Sequence, residues 1–285
     1  MRKMNRKLLL LLLLFSPLVT LAQVHIGVTT GVNSTFVLDK GLSEDPRYNS
    51  QMTYNFAPAG FSFGVDISNG FGIQLESILA NQGQVFEVLD VAKTAVGERK
   101  IDLSYIQLPL LFKFMSAKAT KARTNFSLGP QLSILRNGVE TIQYEASTQN
   151  IENTNELPEG ATLNANGSYD VPALPSTELL STSANEEINK FNETELQIAA
   201  SFGVDIDISK YFYLSTLIRA NYSFTDMRNG DLVDLLKSSN LNGLFDRRAN
   251  LAIGAQIGLN FMFGGVRSFK AKQLDRNAEA FLYNN

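Results

Sequence analysis

The charged residues of this chain that could do chemistry recur at one phase of an alternating pattern. Asp66, Glu76, Lys113 and Asp205 each stand on the polar face of a segment in which large apolar side chains alternate with small or polar ones, and Arg219 stands likewise on a later segment. Carboxylates and cations so placed could relay protons or hold an ionic ligand, or they could pair with one another. Burying an isolated charge is too costly to expect, so structural pairing is the favoured reading, above all of Glu76 with Lys113 on adjacent segments. His25 is the only imidazole, and its place near the start of the chain suits a rim or capping residue rather than a hydrolytic triad, which needs His beside Ser and Asp. With no Cys there is no thiolate metal site, thiol nucleophile or acylated anchor. The acidic pairs Glu44-Asp45 and Glu186-Glu187 lack the ligand spacing of a dedicated calcium loop. No G-x-S-x-G, P-loop or paired-carboxylate motif occurs. The sequence therefore predicts no catalytic residue, no cofactor and no metal, and a protein that is not an enzyme.

The elements that position these charges read as strands. From Leu251 to Phe263 one face carries Leu251, Ile253, Ile257, Leu259 and Phe261, while the other carries Gly254, Gln256, Gly258 and Asn260. Period two over 13 residues is long for a soluble sheet, where about five or six is usual. It suits a tilted membrane strand of about 9 to 11 residues with some overhang. Seven further segments follow the rule: Val24–Val37, Ala59–Ile67, Phe71–Gly83, Ile101–Phe114, Asn125–Leu135, Leu196–Asp207 and Tyr211–Phe224. The connections alternate. Ser68–Gly70, Met115–Thr124 and Ile208–Lys210 are short, whereas Leu38–Pro58, Gln84–Lys100, Arg136–Glu195 and Thr225–Asn250 are long. Short turns alternating with long loops on an even number of strands mark an outer-membrane barrel with both termini periplasmic. Aromatic residues at strand ends, among them Tyr54, Phe56, Phe71, Tyr105, Phe114, Tyr211, Phe212, Tyr213, Tyr222, Phe224, Phe261 and Phe263, fit interfacial girdles. A short helix is expected within Ser181–Asn192, capped by Ser183.

The first residues and the charge fix the compartment. Arg2, Lys3, Arg6 and Lys7 precede an apolar run from Leu8 to Phe15 and a small-residue site at Thr20-Leu21-Ala22, the pattern of a secretory signal peptide cut after Ala22. Leu8 to Ala22 contains Pro17 and falls short of the roughly 20 apolar residues of a spanning helix. The whole chain of 285 residues has 25 Lys+Arg against 28 Asp+Glu, and the leader takes four of the basic groups, so the mature chain is acidic. It has no basic footprint for nucleic acid. A secreted chain without disulfides fits a Gram-negative envelope.

Several runs carry a resemblance: I-G-V-x-x-G-x-N (Ile26–Asn33), I-Q-L-E followed by N-Q-G (Ile73–Glu76, Asn81–Gly83), Y-I-Q-L-P-L-L-F-K-F (Tyr105–Phe114) and S-L-G-P-Q (Ser127–Gln131). In these, and over Val24 to Phe263, the chain resembles the PorT-like outer-membrane β-barrel family of Bacteroidota. The family's best-known member looks like a component of the type IX secretion and gliding apparatus, so the resemblance implies a secretion-system or other envelope protein as partner. The chain departs from many barrels in continuing for 22 residues beyond Phe263 rather than ending on a terminal aromatic.

The expected architecture is all-β: residues 1–22 a signal peptide, 23–263 an eight-stranded antiparallel up-and-down transmembrane β-barrel with one long external loop at about 136–195, and 264–285 a periplasmic tail. The lumen holds the ionic cluster of Asp66, Glu76, Lys113, Asp205 and Arg219. The expected role is structural or binding, through the external loops, with outer-membrane lipid around the wall. Two alternatives stand: a small-solute pore, which so few strands disfavour, and a soluble periplasmic lipocalin-like binder, which would need apolar side chains facing inward.

Overall fold

A computed structural model describes residues 23–116, 121–152, 157–181, 191–238 and 247–263. The expected signal peptide, the C-terminal tail and nearly all of the helix expected within Ser181–Asn192 lie outside the described residues. No helix among those described is long and apolar enough to cross a membrane.

Eight long strands close into a ring: β1 (Gln23–Leu38), β3 (Thr53–Asp66), β4 (Phe71–Leu89), β5 (Ala95–Met115), β6 (Ala122–Tyr144), β11 (Thr194–Asp207), β12 (Phe212–Ser223) and β13 (Ala249–Met262). All neighbours are antiparallel, and β13 returns to β1 in unbroken register from His25–Met262 to Leu38–Ala249. Closure gives every strand of the ring a neighbour on both sides, as a sheet in lipid requires, and among these neighbours β3 and β4 part company past Gly60–Ile78. Short elements fill the connections: α1 (Lys40–Glu44), β2 (Tyr48–Gln51), β7 (Ser147–Gln149), β8 (Thr162–Leu163), β9 (Tyr169–Val171), β10 (Leu174–Ser181) and α2 (Gly230–Ser238).

Burial in the ring is inverted relative to a soluble protein. Ile26, Val28, Phe61, Phe63, Leu75, Phe112, Phe202, Ile257 and Leu259 are exposed on the outside, while Ser62, Glu76, Gln107, Ser127, Gln131, Gln197 and Asn260 are buried inside. An apolar wall around a polar lumen is stable with hydrocarbon outside. It excludes the soluble lipocalin-like alternative, whose interior would be apolar. At the short-turn end the wall carries two groups of contacting aromatics: Phe71 with Phe114 and Phe114 with Phe126, and Phe261 with Tyr211, Phe212 and Phe263. Two residues expected in the girdles are not there. Tyr105 and Tyr213 face the lumen, each only 1% exposed.

Four strands run farther than their alternation predicts: β3 starts at Thr53 rather than Ala59, and β4, β5 and β6 extend at their long-loop ends. Gln84–Lys100, expected as a loop, is mostly strand, with β4 and β5 joined by a tight turn at 90–94 where Lys93 takes a positive φ of 63°. The reason is a change of face. On β5 the outward series is apolar from Ile106 to Phe114 and polar at Glu98, Lys100, Asp102 and Ser104, while the inward series becomes apolar at Ile101, Leu103 and Tyr105. Strand β6 adds a register shift where Ser104 faces Asn137 but Tyr105 faces Leu135, so Arg136 is an extra residue and the phase steps by one. A reading that follows one apolar face loses the strand at both places.

Beyond the belt these extensions form a five-stranded sheet, β2–β4–β5–β6–β10. Its inner face buries Val37, Leu42, Phe86, Ile101, Leu103, Phe191 and Met227 in one apolar cluster, and Val88, Ile142, Tyr144, Ile151 and Val171 in a second. The small sheet β7–β9–β8 lies within the long connection between β6 and β11. The protein is thus a polar-lumened barrel with an apolar-cored cap at its long-loop end.

Candidate functional site

The predicted lumen charges are buried and all have partners. Lys113 Nζ lies 2.8 Å from Asp205 Oδ2. Ser215 donates to the other oxygen of Asp205 at 2.6 Å. Arg123 reaches both acids, with Nη2 3.3 Å from Asp66 Oδ2 and Nε 3.4 Å from Asp205 Oδ2. Glu76 pairs with Arg219, not with Lys113: Arg219 Nη1 donates to Glu76 Oε2 at 2.6 Å and to Gln256 Oε1 at 2.8 Å. The expected Glu76–Lys113 pair fails because Asp205 meets the Lys113 ammonium first, while Arg219 is long enough to reach across the lumen from β12.

His25 is not a rim residue. Its ring is 1% exposed, edge-on to Tyr213 at 5.7 Å, with Nδ1 3.9 Å from Asp66 and Nε2 3.4 Å from Gln74 Oε1. Strand β1 begins at Gln23, so His25 already points inward. Lys113 and Arg123 sit over the Tyr213 ring at 5.6 and 5.9 Å. Arg123, absent from the predicted cluster, continues the inward series of Asn125 and Ser127, so its phase alone would have found it.

Two further polar layers were not predicted. Midway, Glu195 accepts from the Tyr105 hydroxyl, from Asn250 Nδ2 at 2.9 and 3.1 Å and from Gln197 Nε2 at 3.1 Å. In the cap, Glu140 accepts from Arg99 Nε and from Arg248 Nη1, both at 2.7 Å, and Arg248 also donates to Asp39. Arg99 Nη1 donates to the Tyr48 hydroxyl at 3.3 Å, and the Arg99 and Arg47 guanidinium groups each sit 5.3 Å from the Tyr48 ring centroid. This layer stands outside the apolar belt, as its outward neighbours Glu98 and Lys100 show. Burial alone would raise the Glu140 carboxyl, but Arg248 and Arg99 outweigh it and hold it down at about 2. Arg99, Glu140 and Arg248 were missed because all three fell in segments expected to be loops.

Within the lumen lie a cavity of about 40 Å³ at mid-height and one of about 10 Å³ near Lys113. Larger clefts of about 520 and 510 Å³ lie in the cap. Among the described residues no group of three or more His, Cys, Asp and Glu side chains could hold a metal ion.

The chain has likenesses among known proteins. Solved structures similar to it include the outer membrane protein OprG of Pseudomonas aeruginosa, at 10% identity over 85% of this chain and 95% of that one, with a TM-score of 0.37. The Neisserial surface protein NspA follows at 9% identity over 84% and 97%, TM-score 0.38. The attachment invasion locus protein Ail of Yersinia pestis, solved with the heparin analogue sucrose octasulfate, matches at 9% identity over 85% and 99%, TM-score 0.34. No curated protein sequence matches. The model of the outer membrane protein beta-barrel domain matches residues 16–229, and the chain belongs to that family of outer-membrane β-barrels.

Proposed function

We propose that this outer-membrane barrel works through its cap, a binding or complex-forming surface held outside the cell, with both mature termini on the periplasmic side after cleavage near Ala22. The observation that carries this reading is the folded cap itself. Three strands leave the belt and build a sheet with its own apolar core, a structure that spanning the membrane does not require. The lumen favours binding over conduction, since ion pairs cross it at two levels, Lys113 and Arg123 with Asp205 and Arg219 with Glu76. The reading is of a non-enzymatic role that needs no cofactor.

The Tyr105–Phe114 run and its companions support membership of the PorT-like group, and that membership makes secretion-system proteins of the type IX class the partners to test. Crosslinking of the native protein in intact outer membranes, followed by mass spectrometry, is the experiment. Secretion or gliding components crosslinked through cap residues are expected; recovery of the barrel alone would overturn the assembly reading. Protease added to intact cells should cut within residues 145–175, and cleavage only after lysis would overturn the orientation.

A further inference from the structure

The wall of the ring is paired unevenly. Between β3 and β4 the main-chain ladder runs from Asp66–Gly72 to Gly60–Ile78. Past that point the two strands take different partners: β3 continues to Thr53 against β1, and β4 continues to Leu89 against β5 and β2. The seam between them lies in the long-loop half of the apolar belt, where Phe56 and Tyr54 on β3 are 75% and 67% exposed. Farther along, side chains lace it together. Thr35 donates to the Gly83 carbonyl at 2.7 Å, Asn55 donates to Thr35 at 2.9 Å, and Gln84 accepts from the Val37 amide at 2.6 Å.

At the foot of the seam, level with Ile78 and Ala80, lies the 40 Å³ cavity. Polar groups of four residues lining it have no hydrogen-bond partner within the protein: Gln107 Nε2, Arg219 Nε and Nη2, Asn221 Oδ1 and Asn33 Oδ1. Gln107, Arg219 and Asn221 are each more than nine-tenths buried. Buried donors and acceptors normally find partners, and these face one small space. Their chemistry restricts what fits. The charge of Arg219 is already met by Glu76, so a carboxylate would add an uncompensated negative charge there. A bare hydrocarbon would leave donors and acceptors alike unpaired. A hydroxyl, which donates once and accepts twice, matches both.

Access follows from what blocks the alternatives. Leu42, Phe191 and Met227 fill the cap above, and the Lys113–Asp205–Arg123 cluster fills the lumen below. The β1–β13 ladder beside Val32 and Ala255 is unbroken, so the way in from the belt is the seam, where β3 and β4 part just past Ile78.

We propose that the foot of the β3–β4 seam is a lateral binding site for a neutral, lipid-borne molecule bearing one hydroxyl group. Its head is held by Gln107, Arg219 and Asn221, and its apolar body stays in the belt along the seam, beside Leu79 and Phe56. The volume admits the head alone.

The test uses the full-length mature protein in phospholipid nanodiscs and 1-dodecanol carrying a chain diazirine, with labelled peptides mapped by mass spectrometry. Saturable labelling of the peptides containing Phe56 or Leu79 is expected, at least roughly tenfold above that by the matching dodecanoate probe. Gln107→Leu and Asn221→Leu should each weaken it roughly five- to tenfold, and Ala80→Leu should abolish it by filling the cavity; each variant is first checked for the heat-modifiable gel mobility of a folded barrel. Labelling that is unsaturable or spread around the belt, dodecanoate labelling as strong as dodecanol, or labelling indifferent to folded Gln107→Leu would overturn the proposal and leave the cavity to water. Should none of the variants fold, the dodecanol and dodecanoate comparison on the unaltered protein still decides.

Discussion

Lys113 and Asp205 meet at 2.8 Å inside a wall that turns Phe112, Phe114, Val204 and Ile206 the other way. They lie on strands that are not neighbours, β5 and β11, with β6 between them. The pair therefore spans the lumen rather than decorating one strand, and with Arg123 it ties three strands together at the short-turn end.

Removing one member of such a pair leaves a buried charge without its partner, a loss of about 3–5 kcal/mol, whereas removing both costs much less. Lys113→Leu should therefore lower the urea midpoint of the barrel strongly. Lys113→Leu combined with Asp205→Leu should recover most of that loss, because Arg123 keeps Asp66 as a partner. The chain has no Trp, so heat-modifiable mobility on gels is the suitable readout. A double variant as unstable as the two single losses added together would show that the pair does not act as a unit.

The imidazole of His25 lies against the backbone of Gly64 on the facing strand, so a β-carbon added there would collide with the ring. Gly64→Ala should destabilise the barrel by about 1–3 kcal/mol, the usual range for overpacking. In a His25→Ser background the same substitution should cost little, and the double-mutant cycle measures the difference. Equal costs in both backgrounds would place the strain elsewhere.

What the sequence made legible was the part of each strand that faces lipid on one side. The ring, its eight strands and the burial of Asp66, Glu76, Lys113, Asp205 and Arg219 all follow from period two in a single phase. Pairing was less legible, because which cation meets Glu76 depends on reach across the lumen, a distance that neighbouring positions in sequence do not carry. The cap was illegible for a sharper reason. At Tyr105 the apolar series passes from the outward to the inward face, and at Arg136 a bulge shifts the phase, so pattern reading ends the strands there. Arg99 and Glu140 consequently disappeared into apparent loops, although their opposite charges face each other across β5 and β6.

Phe261 is the centre of one short-turn aromatic group, touching Phe212 at 5.3 Å, Phe263 at 5.1 Å and Tyr211 at 6.1 Å. Aromatic pairs contribute about 0.5–1.5 kcal/mol each beyond their buried area. Phe261→Leu, which keeps an apolar surface toward lipid, should cost about 1–3 kcal/mol on that scale. Phe263→Leu, which loses a single one of these pairs, should cost less. Unfolding midpoints in the same detergent compare the two, and a larger loss at Phe263 would move the centre of the girdle to the strand end.

The cap should respond to acid before the barrel does, and the sign follows from Glu140. Its carboxyl is held at about 2 against an ordinary value of 4.5, burial being outweighed by Arg248 and Arg99. A depressed carboxylate contributes stability that is fully present above its unfolded value and is lost as pH falls through its folded one. The cap should thus be at full strength above about pH 5 and weaken progressively as pH falls toward about 2. Hydrogen exchange at the amides of Ile101, Leu103 and Ile142 should accelerate over that window, ahead of amides in the lipid-facing stretch Leu108–Phe114. Glu140→Gln, which keeps the shape and removes the charge, should leave the cap weakened at neutral pH and flatten the acid response. Exchange in the cap that is insensitive to pH in the unaltered protein would show that the Arg99–Glu140–Arg248 layer does not hold it closed.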